Sequence, residues 1–124
     1  MMTPEEFRKL RLHLAMAREF AARVEAREGL ALAASVRLNT VCLRLSSDAA
    51  TRLFHESLNA TGEVFLTHAM LDGRYIVRVS FGQTNSTWDT MERLWTLVEG
   101  TLARPPYTLA GKAGGDGSAP EGPG

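Results

Sequence analysis

The sequence predicts an α+β domain: an antiparallel-rich sheet built around a tight hairpin, with three helices on one face. Three observations carry this. Asp72-Gly73 joins two apolar-rich runs, Val64 to Leu71 and Arg74 to Phe81, and Asp-Gly there is the strongest short-range hairpin signal. Stripes of apolar residues at helical spacing follow capping residues at Thr3, at Ser46-Ser47-Asp48 and at Ser86-Thr87. The resulting order of helix, two strands, helix, hairpin and helix suits a sheet with one helical layer.

The first helix is expected over residues 4–28. Thr3 caps it, Pro4 suits the first helical position, and Glu6 sits where a capping box needs a carboxylate. Phe7, Leu10, Leu14, Ala17, Phe20, Ala21 and Val24 form its apolar stripe, and Gly29 ends it. Its arginines alternate with glutamates, which reads as a solvated face. Residues 30–45 read as extended: Val36/Leu38 and Val41/Leu43/Leu45 show period two, broken at Asn39-Thr40. A second helix is expected over 48–60, carrying Ala50, Leu53, Phe54 and Leu58, and ending at Asn59-Ala60-Thr61-Gly62. The last helix carries Trp88, Met91, Trp95, Val98 and Leu102, and stops at Arg104-Pro105-Pro106. The folded domain is expected over 1–103. Residues 104–124, rich in glycine, alanine and proline, read as a disordered tail.

The chain has 124 residues, 14 basic and 14 acidic, which fits one domain with a core. Zero net charge argues against a nucleic-acid groove or an anionic membrane surface as partner. A single cysteine, Cys42, cannot make an internal disulfide, and no stretch reaches the ~20 apolar residues of a membrane helix. The acidic start at Glu5-Glu6 lacks the layout of a signal peptide, so a cytoplasmic protein is expected. Only Lys9 and Lys112 are lysines.

A two-residue hairpin loop sets the register, so Leu71 faces Arg74. One face then carries Val64, Leu66, His68, Met70, Tyr75, Val77, Val79 and Phe81, and suits the helices. The other should be polar if solvated. Instead it holds Phe65, Ala69, Leu71 and Ile76 around Arg78, read as a single buried cation. An apolar patch of that kind marks a docking surface; a strongly twisted sheet with rim contacts is the alternative. Thr67 pairs with Arg78 across the hairpin and is placed to orient it. His68 reads as a hydrogen-bonded core residue and Cys42 as an inert buried thiol. His13 and His55 lie on helices with no partner histidine at ligand spacing, and no metal cluster is evident.

Residues 58–68, from Leu58-Asn59-Ala60-Thr61-Gly62 to Thr67-His68, and residues 71–78, Leu71-Asp72-Gly73-Arg74-Tyr75-Ile76-Val77-Arg78, resemble a region of the aromatic-L-amino-acid decarboxylases. These are the group II pyridoxal-phosphate (PLP) decarboxylases, which include plant tyrosine and tryptophan decarboxylases. Val41-Cys42-Leu43-Arg44-Leu45, the helix containing Trp95, and Phe7-Arg8 with Ala17-Arg18-Glu19-Phe20 are similar as well, in the same order over residues 5–100. Residues 83–89 depart from the family's run. The resemblance implies the C-terminal small domain of a PLP enzyme of fold type I, present here as a fragment or truncated gene product. The family's PLP lysine lies in a large domain, in an Asn-x-x-His-Lys-type segment, and neither Lys9 nor Lys112 has that context. The resemblance therefore implies PLP in the full-length enzyme, none bound covalently by this chain, no catalytic residue in it, and a large domain or homologous chain as partner in a homodimer. It also matches Arg78 to a substrate-side or domain-docking position, with Thr67 beside it through the hairpin pairing. A guanidinium there suits a substrate carboxylate, or equally a carboxylate of the large domain. A reading of another class stays open: a stand-alone α+β module that dimerises through its apolar sheet face.

Overall fold

The computed structural model describes residues 1–82 and 87–104. The expectation of a disordered tail falls on residues beyond 104 and lies outside the described residues, as does Ser86. Helix α1 spans Pro4–Ala26, strand β1 Ala31–Leu32, β2 Thr40–Arg44, helix α2 Asp48–Ala60, β3 Thr67–Leu71, β4 Arg74–Ser80 and helix α3 Trp88–Ala103. The four strands form one antiparallel sheet in the order β1-β2-β4-β3. The expected α+β architecture is the observed one.

Local chemistry starts each helix. At α1 the Thr3 hydroxyl accepts from the Glu6 amide and the Glu6 carboxylate accepts from the Thr3 amide, a complete capping box. Ser47 caps α2 and Thr87 caps α3 through a reciprocal pair with Thr90. The hairpin turns as its sequence demands. Asp72 and Gly73 adopt φ of 53° and 79°, the pair of positive values that a type I′ turn needs, and Leu71 pairs with Arg74.

All three helices pack on one sheet face. Met16, Phe20 and Val24 of α1, Phe54 and Leu58 of α2, and Met91 and Val98 of α3 close over Val41, Leu43, Val77 and Val79. Each has at most 1–2% exposure, so the contacts exclude water. Phe20 stands edge-on to both Phe81 and Trp95, with ring centroids 5.5 Å apart in each case. Thr51 is buried with its needs met: its hydroxyl donates to Ser47 O and accepts from the Leu45 amide, locking the start of α2 to the end of β2.

The structure corrects several expectations. Residues 30–45 do not run extended throughout. Leu38 has φ of 54° and is exposed, because Leu38-Asn39 form a tight turn between Arg37 and Thr40. The stripe of α1 is buried only in its second half; Phe7 and Leu10 are exposed. Trp88, at the first turn of α3, is likewise exposed. Two of the arginines read as a solvated face, Arg23 of α1 and Arg27 at its C-cap, bind another helix. Arg23 grips the Glu92 carboxylate with two nitrogens at 2.8 and 2.7 Å, and Arg27 reaches Glu99 at 2.9 Å, tying α1 to α3.

Candidate docking and substrate-side face

Strand alternation places Thr40, Cys42 and Arg44 of β2 on the face away from the helices. Arg74, Ile76, Arg78 and Ser80 of β4 join them, as do Thr67, Ala69 and Leu71 of β3. The pairing Cys42↔Arg78, carried two residues on, sets Arg44 beside Ile76. Ile76 thus has Arg44 and Ala69 to its sides and Arg74 and Arg78 above and below on its own strand. It is 2% exposed although no helix lies over it. The long side chains beside it on this face are three arginines, of which Arg74 and Arg78 are exposed and Arg44 is partly buried.

This changes the expected picture of the face. Arg78 is exposed, not buried, and it shares the face with Arg44 and Arg74. Leu71 is 36% exposed and Phe65, just before β3, is 83% exposed. The surface is an apolar floor studded with guanidinium groups, where the sequence suggested an apolar patch around one cation.

Thr67 and Arg78 are register partners as expected. The Arg78 Nε lies 3.4 Å from Thr67 Oγ1, a long contact that leaves most of the guanidinium free for another acceptor. Among the described residues Arg78 has no ion pair. On its other side stands Cys42, half-buried on this same face and not sealed in the core. Burial pushes the Cys42 thiol above its ordinary value, and the Arg78 charge opposes that shift. At neutral pH the thiol is therefore protonated and a poor nucleophile.

Sequence reasoning missed a cluster on the helical side. His68 does point to that face, but β3 is an edge strand and the ring is exposed, not a core residue. It stacks flat on Tyr75 with centroids 4.7 Å apart. His55 from α2 lies beneath, its Nδ1 2.8 Å from the Tyr75 hydroxyl and its Nε2 2.7 Å from Leu66 O. A carbonyl only accepts, so Nε2 donates to Leu66 O, and Nδ1 shares a hydrogen bond with the Tyr75 hydroxyl. Burial raises the Tyr75 phenol above its usual value. No spacing along the chain links residues 55, 68 and 75; the fold of α2 against the hairpin does.

The Asn59-Ala60-Thr61-Gly62 motif is a connector. The Asn59 side chain accepts the Leu66 amide at 2.8 Å and donates to Leu66 O at 2.9 Å, acting as a substitute strand neighbour. The Thr61 hydroxyl donates to Leu58 O and accepts from the Glu63 amide, and Gly62 takes φ of 78° to turn the chain. The motif sets where β3 begins, and with it the placement of Thr67.

The described residues of the open face include no lysine. Lys9 is exposed on α1, which covers the opposite face, and Lys112 lies outside the described residues. The face has cations to hold a carboxylate but no amine to hold an aldehyde cofactor, so the residues present do not by themselves fit PLP. Among the described residues no three histidine, cysteine, aspartate or glutamate side chains gather as a metal site. No helix there is long and apolar enough to cross a membrane.

No family model matches the chain. It is similar to the aromatic-L-amino-acid decarboxylase of Catharanthus roseus, 26% identical over 73% of this chain and 19% of the relative. It is also similar to tyrosine decarboxylase 1 of Narcissus pseudonarcissus, 28% identical over 73% of this chain and 20% of the relative. Its fold matches the crystal structure of Oryza sativa TDC with PLP and tryptamine, with TM-score 0.73 and 24% identity, covering 76% of this chain and 22% of that one. The chain spans about a fifth of the length of the curated relatives it matches. Over that fifth the chain is similar in sequence to an aromatic-L-amino-acid decarboxylase and a tyrosine decarboxylase, and it shares the fold of the matching part of the Oryza sativa structure.

Proposed function

We propose that this chain supplies the C-terminal small domain of a cytoplasmic, homodimeric PLP-dependent decarboxylase of aromatic L-amino acids, and that it is not catalytic alone. The observation that carries the reading is the open sheet face, helix-free and lined by Arg44, Arg74 and Arg78, within a fold that matches one fifth of the decarboxylases. When bound in such an enzyme, PLP supplies the electron sink for loss of carbon dioxide. This chain's own contribution is positional. Thr67 and Cys42 flank Arg78 on the neighbouring strands and hold it out from the sheet. There it engages a carboxylate, either of the substrate or of the large domain.

Self-association through this face is the second reading, favoured by the exposed Phe65 and Leu71. The arginines weigh against it. A two-fold pairing sets the same patch against itself, so six guanidinium groups would meet, with only Asp48 beside Arg44 as an ion-pair partner among the described residues.

The experiment is to incubate the purified chain with PLP and L-tyrosine or L-tryptophan, following cofactor absorbance and carbon dioxide release. The expected result is neither a lysine-dependent absorbance band nor release. A band abolished by Lys9→Arg or Lys112→Arg, or measurable release, overturns the reading.

A further inference from the structure

Strand β3 is the outer strand of the sheet, and no strand lies beyond it among the described residues. Which backbone groups it leaves open follows from the hairpin. In a two-residue type I′ loop the flanking pair, Leu71 and Arg74, exchanges hydrogen bonds, so Ala69 and Thr67 also bond to β4, while His68 and Met70 turn their amides and carbonyls outward. Two contacts agree with this phase. The Tyr75 amide, opposite Met70, bonds away from β3 to Asp48, and the Leu66 amide and carbonyl bond to the Asn59 side chain. The open edge is therefore short. Asn59 closes it at Leu66 and the turn closes it after Leu71, which leaves two donors and two acceptors centred on Ala69. Edge strands are ordinarily guarded by charge, proline or a bulge. Residues 64–71 contain no Asp, Glu, Lys, Arg or Pro, and Phe65, Met70 and Leu71 among them are exposed.

We propose that β3 pairs antiparallel with β3 of a second copy of this chain, across a two-fold axis at Ala69. His68 and Met70 of one copy exchange backbone hydrogen bonds with Met70 and His68 of the other, which uses every open group on both edges. An axis at His68 would need Leu66, whose groups Asn59 holds, and an axis at Met70 would need Asp72 in the turn. The side chains suit a second copy. Ala69 meets Ala69, which joins Ile76 of both copies in one uncharged row across the sheet. On the neighbouring row Arg78 and Thr67 meet Leu71 and Arg74 of the second copy. The closest arginine positions of the two copies are then three strand spacings apart, about 14 Å, beyond the screening length in physiological salt. The pairing uses the edge of the sheet and not its arginine-lined face. It requires neither PLP nor a second domain, so its test stands or falls apart from the decarboxylase reading.

The register gives a direct test. In the Cys42→Ser background, Ala69→Cys sets a thiol opposite its own copy in a non-hydrogen-bonded pair, with Cα atoms about 4.5 Å apart and within reach of a disulfide. Leu71→Cys in the same background stands about 14 Å from its copy, although it is the more exposed position. Under mild oxidation the residue 69 variant is expected to cross-link into dimers at least about tenfold faster than the residue 71 variant. Sedimentation equilibrium of the natural chain should give a weak dimer, with Kd on the order of 0.1 mM, as a small interface implies. Met70→Lys places a charge on the edge and should weaken it at least about tenfold. The cross-linking comparison reports even if Met70→Lys unfolds. A chain that stays monomeric at about 1 mM, cross-linking at residue 71 as fast as at residue 69, or Met70→Lys changing association less than about twofold overturns the proposal.

Discussion

Arg78 and Cys42 stand opposite each other on β4 and β2, and their neighbourhood decides what the open face can do chemically. The thiol is raised by burial, with the Arg78 charge holding it back. Removing that charge removes the opposing influence, so Arg78→Gln should raise the thiol further. The expected reading is a slower iodoacetamide alkylation of Cys42 at pH 8, by roughly two- to threefold, with the pH–rate curve moved to higher pH. An unmoved curve would mean that Arg78 does not act electrostatically on this strand. The identity of Arg78 as the outward-facing residue was legible from alternation alone. Its exposure was not, because exposure depends on what else the chain brings over the helix-free face, and alternation does not say.

Among elements, the join between α2 and β3 is the most informative. Asn59 stands in for a strand neighbour of Leu66, and Gly62 supplies the reversal. Asn59→Leu leaves the Leu66 amide without an acceptor, while Leu66 O keeps the His55 Nε2 proton. The cost of one orphaned, half-buried amide is about 1–3 kcal/mol, measurable as a lower urea midpoint at unchanged slope. A change in slope would instead indicate that β3 has come loose. The motif was visible as a helix stop. Its second duty was not, since the Asn59 side chain bonds to a residue whose position only the turn fixes. The hairpin's turn type and register were legible, because Asp-Gly restricts the backbone locally, but its first arm was read from Val64 whereas β3 begins at Thr67, where the Asn59 side chain takes the place of a strand neighbour for Leu66. The β1–β2 stretch was read too long, because Val36 and Leu38 mimic strand alternation across a turn.

Across the whole molecule, ion pairs clasp the helices to one another and to the loop before β3. Arg23 binds Glu92, Arg27 binds Glu99, and Arg93 binds Glu63 with two nitrogens at 2.8 Å. Hydrogen bonds from Arg93 and Arg23 hold the Glu63 and Glu92 carboxyls below the ordinary value of 4.5. A carboxyl held lower in the folded state contributes stability above its unfolded value and loses it as pH falls through the folded one. Stability from these pairs is therefore full at neutral pH and declines below about pH 4.5. Both carboxylates are solvated, so the effect is small and screened by salt. Urea midpoints between pH 6 and pH 3 should fall less steeply in the Glu63→Gln/Glu92→Gln variant, and less steeply in 0.5 M salt. Equal slopes with and without the substitutions would count against the pairs.

By itself the sequence determined what local physics controls: the capping residues, the three helices, the hairpin turn with its register, and hence which side chains share a face. It also carried the ordered likeness to the decarboxylases, because that likeness lies in linear motifs. Tertiary structure decided what depends on coverage. It put His68 at an uncovered edge with Tyr75 and His55, buried Ile76 on the face away from the helices, and left the Arg44 Nε buried without an acceptor among the described residues. The physical reason is the same in each case. Alternation fixes the side of the sheet to which a residue points, but burial and charge pairing are set by what the rest of the chain brings to that side.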